Sequence, residues 1–323
     1  MDITEYINRC DNKINPYNFS VSDMLVLTAL SYCDFYTVSD RFNELIKLSE
    51  AANDLLVCGI NVKHMEFLKA LRDSKRFSEL YICGRCKETG SSDSVMQFSA
   101  ITIKISDFLW FVSYRGTDGT IDGWKEDFQF SYLDQIPSQK RALNYLNSVA
   151  ANLKGKLYVS GHSKGGNLAA YASVFSDKQI QDRIIKVFCN DAPGFNEKTN
   201  FYSTEGYERM KAKIKCFIPQ DSIIGQLLQI FPKDCYKVIH SNSPLLLRQH
   251  DIFTWQINVD GEPCWENNMN SITEDIMQQI NDLIRNMPFR KRKEFTDWFF
   301  DILNKQDIRH VETIKKILPF NFF

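Results

Sequence analysis

The sequence has almost no net charge and no long apolar run. Its 39 lysines and arginines balance 40 aspartates and glutamates, which leaves a net charge of −1 over 323 residues. This balance creates no field that attracts a polyanion, so we expect no nucleic-acid partner. The longest apolar stretch, near residues 24–35, is too short and too interrupted to cross a bilayer, and we expect no transmembrane segment.

The N-terminus and the cysteines both favour a cytoplasmic protein. The first twenty residues lack the basic and apolar regions of a signal peptide. The nine cysteines are odd in number and scattered, which favours reduced thiols over a disulfide framework. Cys83 and Cys86 form one C-x-x-C, but no second pair and no suitably spaced histidine accompany it. We therefore expect no metal site and no cofactor.

Strand-like and helix-like segments alternate between about residues 100 and 260. Two apolar strands within residues 97–117 are joined near Ser106 and Asp107, and further strand-like runs follow near residues 156, 184, 214, 236 and 253. Strands that alternate with helices predict an α/β fold with a mostly parallel central sheet flanked by helices.

The predicted organisation is one α/β domain with a helical extension. Residues 1–260 form the domain, which includes an N-terminal helical segment with an amphipathic helix near residues 20–35 that Ser20 or Ser22 could cap. Amphipathic patterns at residues 271–287, 291–306 and 308–320 predict helices in a C-terminal extension, 261–323, packed on the same domain.

A glycine-rich turn lies between a strand and a helix at residues 157–175. Its centre reads Gly-His-Ser-Lys-Gly, with Ser163 in the middle and Gly161 and Gly165 two residues away on either side. A serine nucleophile at such a turn adopts an unfavourable backbone conformation, which requires small residues at those two positions. The context predicts that Ser163 is a nucleophile, and a phosphate-binding or structural turn is the alternative.

A nucleophilic serine needs a base, and five histidines are available. On this kind of fold the chain order is serine, acid, histidine, so His64 comes too early. We interpret His162 as structural, because its side chain should point away from the neighbouring serine. His310 lies in a charged terminal segment. This leaves His250, in a loop between two strands, and His240, at a strand end; we favour His250.

The acid that orients the base has two candidates. Asp191 and Asp221 each follow a predicted strand, at the sheet edge where α/β sites assemble. We favour Asp221, which lies in the chain between Ser163 and His250. The alternative for either aspartate is a helix cap or a turn residue.

Two backbone amides are candidates for an oxyanion hole. The first is that of Lys164, directly after the nucleophile. The second is that of Thr117, because an apolar strand ends there in Arg115-Gly116-Thr117 and the glycine permits a sharp turn.

These motifs resemble those of a known group. An R-G-T turn before a D/N-W segment, followed by G-H-S-x-G, resembles the class 3 lipase-like branch of the α/β-hydrolases. Six motifs in order, over about residues 1–260, resemble more closely a family of lipase-like proteins called Mbeg1-like. They are "DMLVLTALSYCDF", "YRGTDGTIDGWKEDF", "SGHSKGGNLAAYA", "DAPGF", "IPQDSIIGQLL" and "QHDIFTW".

The resemblance implies an α/β-hydrolase fold and a Ser163–Asp221–His250 triad, with oxyanion donors at Thr117 and Lys164. It also places the lid of the lipases on Asp118–Tyr132. In this chain the lid segment mixes apolar and charged side chains, namely Trp124, Phe128 and Phe130 with Asp122, Lys125, Glu126 and Asp127.

The sequence therefore predicts a serine acyl hydrolase of the esterase or lipase type. Its expected partner is a small-molecule or lipid-like acyl ester, cleaved as an ester or thioester through an acyl-enzyme. The alternative is a non-catalytic hydrolase-like protein that serves as a binding or scaffold module.

Overall fold

Nine strands form one sheet in the computed structural model, which describes residues 1–59, 64–91, 94–228, 230–306 and 308–310. The strands are β1 (Ile46–Lys47), β2 (Tyr81–Ser91), β3 (Ser94–Ser106), β4 (Leu109–Tyr114), β5 (Lys156–His162), β6 (Ile184–Asn190), β7 (Ile214–Pro219), β8 (Tyr236–Ile239) and β9 (Trp265–Glu266). They lie side by side in chain order.

The sheet has a parallel part and antiparallel edges. Strands β4 to β8 pair in parallel, whereas β1 to β4 pair antiparallel and β9 pairs antiparallel with β8. The predicted α/β-hydrolase fold is confirmed. The sheet is more mixed than the sequence indicated, because the short links between β2, β3 and β4 permit only antiparallel pairing.

Helices cover both faces of this sheet. They are α1 (Ile3–Arg9), α2 (Val21–Ala29), α3 (Leu48–Val57), α4 (Met65–Asp73), α5 (Ile121–Gln129), α6 (Pro137–Asn152), α7 (Lys164–Phe175), α8 (Lys178–Arg183), α9 (Glu205–Met210), α10 (Leu246–Gln249), α11 (Ser271–Asn286) and α12 (Phe289–Lys305). One hydrophobic core contains residues of α1–α4 and Phe111 of β4. The other contains residues of α6, α7 and α9, together with Trp110 and Val112, which lie on either side of Phe111 in β4. Alternate side chains of one buried strand therefore serve both cores.

Helix α2 begins where the sequence predicted but is not amphipathic. The Ser20 hydroxyl accepts from the Asp23 amide, and the Asp23 carboxylate accepts from the Ser20 amide, so the two residues form a capping box. Asp23 also binds Arg76 in a buried ion pair with an N–O distance of 2.6 Å. Almost every residue of α2 is buried, because the helix lies between the sheet and α1.

The C-terminal part of the chain departs from one prediction. The expected strand near residue 253 is instead a 3₁₀ turn, Ile252–Thr254, because the Asp251 carboxylate accepts from the Phe253 amide and caps it. The predicted helices near residues 271 and 291 are present as α11 and α12. Residues 311–320 of the third predicted helix lie outside the described residues, and the domain boundary at residue 260 stays a prediction.

Four neighbouring strands end at one edge of the sheet. Thr117 follows β4, Ser163 follows β5, Asp191 follows β6 and Asp221 follows β7. The carboxyl ends of parallel strands meet at the same edge, which places these side chains together. None of the helices in the described ranges combines the length and the apolar character needed to cross a bilayer.

Candidate active site

The turn that carries Ser163 is strained. Ser163 has φ +58° and ψ −132°, a conformation that costs a non-glycine residue about 1–3 kcal/mol. Its amide donates to the Asn190 carbonyl at 2.9 Å, which ties the turn to β6. A side chain at Gly161 would collide with the carbonyl of Gly165, and one at Gly165 would collide with the carbonyl of Tyr114. The backbone therefore has the strained strand-to-helix geometry that a nucleophile elbow requires.

His250 is oriented by a buried carboxylate. Its Nδ1 lies 2.6 Å from Asp191 Oδ2, and Asp191 is fully buried. The other oxygen, Oδ1, accepts from the Ser222 hydroxyl and, at 3.1 Å, from the Gly225 amide. Because an ionised carboxylate only accepts, the imidazole proton lies on Nδ1 and the lone pair of Nε2 is available as a base.

The structure pairs His250 with Asp191 and not with Asp221, the acid expected from the sequence. Asp221 Oδ2 accepts from Gln249 Nε2 at 3.0 Å, and its Oδ1 accepts from Thr273 Oγ1 at 3.3 Å. Asp191 follows β6, the strand next to β5, whereas Asp221 follows β7, one strand farther from Ser163. Strand adjacency therefore decides which carboxylate reaches the base.

His162 joins the nucleophile turn to the loop that carries His250. Its Nε2 lies 2.7 Å from the His250 carbonyl oxygen, and the two rings are 4.6 Å apart at their centroids. Its Nδ1 lies 2.6 Å from the Tyr32 hydroxyl. Since the carbonyl can only accept, Nε2 carries the proton, and in the neutral ring Nδ1 accepts from Tyr32. Because His162 directly precedes Ser163, these contacts tie the loop that carries His250 to the turn that carries Ser163.

The two remaining histidines that follow Ser163 in the chain form other contacts. His240 Nδ1 pairs with Glu266 at 2.8 Å on an exposed surface, and His310 forms a backbone bridge to Thr120. Tyr32 was not predicted from the sequence, because it lies 130 residues before its partner His162. Ser222, whose hydroxyl donates to Asp191, was not predicted either, although the position of Ser222 after a strand is visible in the sequence.

Tyr32 is a neutral donor at neutral pH. Burial raises the pKa of its hydroxyl, against the opposing effects of Arg115 and of a hydrogen bond with the Gly116 backbone. The same hydroxyl thus contacts His162 and the loop that precedes Thr117. Tyr32 therefore connects His162, and through it the loop that carries His250, to the candidate oxyanion loop.

We expect Tyr32→Phe to lower kcat about 10-fold with little change in KM, because misplacing a catalytic base slows the chemical step more than binding. Esterase kinetics and the pH profile of kcat measure this. Tyr36→Phe is the matched control, since the Tyr36 hydroxyl bonds at the surface to the Asp54 carbonyl. Equal losses in the two variants would contradict a positioning role for Tyr32.

The candidate oxyanion loop packs against the nucleophile. A Cβ on Gly116 would lie 2.9 Å from Ser163 Cβ and 2.7 Å from the His162 carbonyl oxygen, so only glycine fits there. The next residue, Thr117, donates its hydroxyl to Asp127 Oδ2 at 2.6 Å. This hydrogen bond to a residue of α5 therefore stabilises the conformation of Thr117.

Burial raises the pKa of Asp127 to about 6, although the Lys164 ammonium and the Thr117 hydroxyl both oppose the rise. At pH 7 the carboxylate is therefore mostly ionised, and Thr117 donates to a charged acceptor. Below this pKa the charge is lost and that bond weakens.

The Lys164 side chain is not at the surface of the site. It is 1% exposed, and its Nζ donates to Glu126 Oε2 at 3.0 Å, with Asp127 Oδ1 at 3.9 Å. Glu126 is fully buried. Removing one partner from such a pair typically costs about 3–5 kcal/mol, because the other charge stays buried. The charge after the nucleophile is thus neutralised inside the protein.

No group of histidine, cysteine, aspartate or glutamate side chains suited to a metal ion occurs in the part of the chain that the structure describes. All nine cysteines lie in the described ranges, and each is a free thiol.

The parallel strands β4 to β8, the strained serine between β5 and α7, and the His250–Asp191 pair are features of the α/β-hydrolase fold. The order Ser163, Asp191, His250 along the chain is the order of that class. More particularly, the chain belongs to the Mbeg1-like family, whose sequence profile matches residues 71–301. This match confirms the resemblance drawn from the six motifs.

Solved lipase structures are similar to this chain at low identity. The mono- and diacylglycerol lipase from Aspergillus oryzae is 14% identical, with a TM-score of 0.44 over 77% of this chain and 86% of the lipase. M37 lipase is 17% identical, with a TM-score of 0.42 over 64% and 70%. The lipase from Rhizopus microsporus var. chinensis is 13% identical, with a TM-score of 0.39 over 79% and 82%. No curated protein matches the sequence.

Proposed function

We propose that this protein is a serine acyl hydrolase of the esterase or lipase type, which cleaves an ester or thioester through an acyl-enzyme. One observation carries the proposal: the His250 Nδ1 bonds the fully buried Asp191, and the His250 carbonyl bonds His162, the residue before the strained Ser163. Asp191 takes the role that the sequence analysis assigned to Asp221.

The first half-reaction acylates the serine. His250 Nε2 removes the Ser163 hydroxyl proton as Oγ bonds to the substrate carbonyl carbon, and the carbonyl oxygen becomes an oxyanion. The oxyanion then collapses, the bond to the leaving alcohol or thiol breaks, and the imidazolium returns its proton to that group. The buried Asp191 carboxylate stabilises the imidazolium between these two transfers.

The second half-reaction releases the acid. His250 removes a proton from water, the hydroxide oxygen bonds to the acyl carbon, and Ser163 Oγ leaves with the proton that the imidazolium returns. In both halves the backbone amides of Thr117 and Lys164 donate to the oxyanion. Two features favour these donors: the free amides at the N-terminus of α7, and the packing of Gly116 against Ser163.

We also propose that the substrate is an acyl ester of a small molecule or lipid, because a serine nucleophile with a histidine base attacks acyl carbonyls. A cytoplasmic location is proposed as well, since it agrees with nine free thiols.

A fluorophosphonate probe tests the proposal. The folded protein is expected to take up one probe per chain, on the peptide that carries Ser163, and to hydrolyse p-nitrophenyl esters from a panel of acetate to palmitate. Heat-denatured protein is the control, since its serine has no activating base. Folded protein that neither reacts with the probe nor hydrolyses any ester of the panel would contradict the proposal and favour a binding or scaffold role.

A further inference from the structure

Helix α5 occupies the segment where the resemblance placed a lid, yet the site is open with α5 in position. Ser163 is partly exposed, and 25% of the His250 side-chain surface is exposed. A lid must cover the nucleophile in the resting state to have a gating role. Substrate can therefore approach these two residues without any movement of α5.

The inner side of α5 is bound to the body of the protein through Glu126. One of its carboxylate oxygens accepts from the Gln97 amide of β3 at 2.9 Å and from Lys164 Nζ, and the other accepts from the Ser138 amide of α6 at 2.9 Å. This single buried carboxylate thus ties α5 to a strand, to a second helix and to the residue after the nucleophile. Lifting α5 would leave a buried lysine and two backbone donors without their acceptor.

The outer side of α5 is covered by α12 and the residues after it. Ile121, Trp124 and Phe128 pack against an apolar group from α12 and its C-terminal flank, namely Phe299, Phe300, Leu303 and Ile308. The Ile121 amide donates to the Arg309 carbonyl at 3.0 Å, and Thr120 forms a backbone bridge to His310. An outward movement of α5 would have to displace these groups and expose apolar surface to water.

We propose that α5 is a fixed wall of the active site, held by Glu126 on one side and α12 on the other, and that the enzyme acts on dissolved, monomeric acyl esters without interfacial activation. The substrate class in this inference rests on the proposed function, whereas the fixed position of α5 rests on its contacts. The apolar side chains of α5 pack against α12, whereas Glu126 binds the buried Lys164 and Asp127 accepts from Thr117 in the oxyanion loop.

Hydrolysis rates measured below and above the solubility limit of an ester test the substrate class. With tributyrin as substrate, the rate is expected to follow one saturation curve through the concentration at which the ester separates from water, without a step and within about twofold of the fitted curve. An abrupt rise in rate at that concentration would overturn the inference. A protein inert toward both tributyrin and the fluorophosphonate probe would instead contradict the proposed function.

Hydrogen exchange tests the wall independently of activity. The amides of α5 are expected to exchange equally slowly with and without phosphatidylcholine vesicles, and α6 serves as the internal reference. Faster exchange of α5 with vesicles, while α6 is unchanged, would show a lid that opens and would overturn the inference.

Variants test the contacts that hold α5. Glu126→Gln is expected to speed exchange of the α5 amides about 10-fold, because a buried lysine loses its counter-charge. Asp122→Asn is the matched control on the same helix, since the Asp122 side chain is exposed, and it should leave that exchange unchanged. Exchange in Glu126→Gln as slow as in the unaltered protein would overturn the role of Glu126.

A second variant keeps the test decisive if Glu126→Gln does not fold. Phe300→Ala removes a buried ring that stacks edge-on against Phe128, with centroids 5.3 Å apart. Faster exchange in α5 is expected here too, and an unchanged rate would show that α12 does not hold the wall.

Discussion

The Ser163→Ala variant is expected to lose at least about 10,000-fold in kcat and to take up no fluorophosphonate, because the only change is the loss of the attacking oxygen. His250→Ala should show a loss of the same order, since no other group then accepts the serine proton. His240→Ala is the matched control, because His240 pairs with Glu266 on an exposed surface, and it should stay within about twofold of the unaltered enzyme.

Folding is checked separately for these variants. Alanine keeps the Cβ of Ser163 and meets the same backbone strain at φ +58°, so the melting temperature should change little. Probe uptake that persists in a folded Ser163→Ala protein would show that another residue is the nucleophile. A large loss in His240→Ala together with an active His250→Ala would transfer the role of base to His240.

The Asp191→Asn variant is expected to lower kcat about 10,000-fold, whereas Asp221→Asn should lower it less than about 10-fold. An amide at position 191 can donate to Nδ1, which moves the imidazole proton to Nε2 and removes the base. Asp221 bonds Gln249 and Thr273 rather than the imidazole, so its charge affects His250 only indirectly. Steady-state kinetics of both variants above pH 7 provide the comparison.

Asparagine at position 191 also faces the hydroxyl of Ser222 and the amide of Gly225, which bond the other oxygen. The amide oxygen can keep these two bonds, so the protein should fold, and a thermal melt confirms this before the kinetics are read. If Asp221→Asn suffers the large loss and Asp191→Asn does not, Asp221 is the orienting acid and the resting pairing of His250 changes during catalysis.

Much of the fold was predictable because local patterns decide it. The strands around β4 and β5, helices α6 and α7, and the capped start of α2 each carry their own periodicity or capping residue. The strand expected near residue 253 was not formed, because Asp251 caps a tight turn there, a side-chain bond that apolar alternation does not reveal.

The sequence by itself determined the strained serine turn and the loop beside it. Gly161, Ser163 and Gly165 stand at the spacing that such a turn requires, and Gly116 precedes Thr117 at the end of a strand. Such features need only residues close in the chain, because a tight turn is decided by local sterics. The chain order also favoured His250 as the base.

Only the tertiary structure decided which aspartate meets His250, and where the charge of Lys164 goes. Asp191 and Asp221 follow strands in the same way, and they differ in which strand lies beside β5. Lys164 is neutralised by Glu126, 38 residues earlier, on a helix that the resemblance marked as a lid. Both outcomes depend on contacts between segments that are distant in the chain. Burying a charge without a partner costs free energy, and only the folded structure shows which residue is the partner.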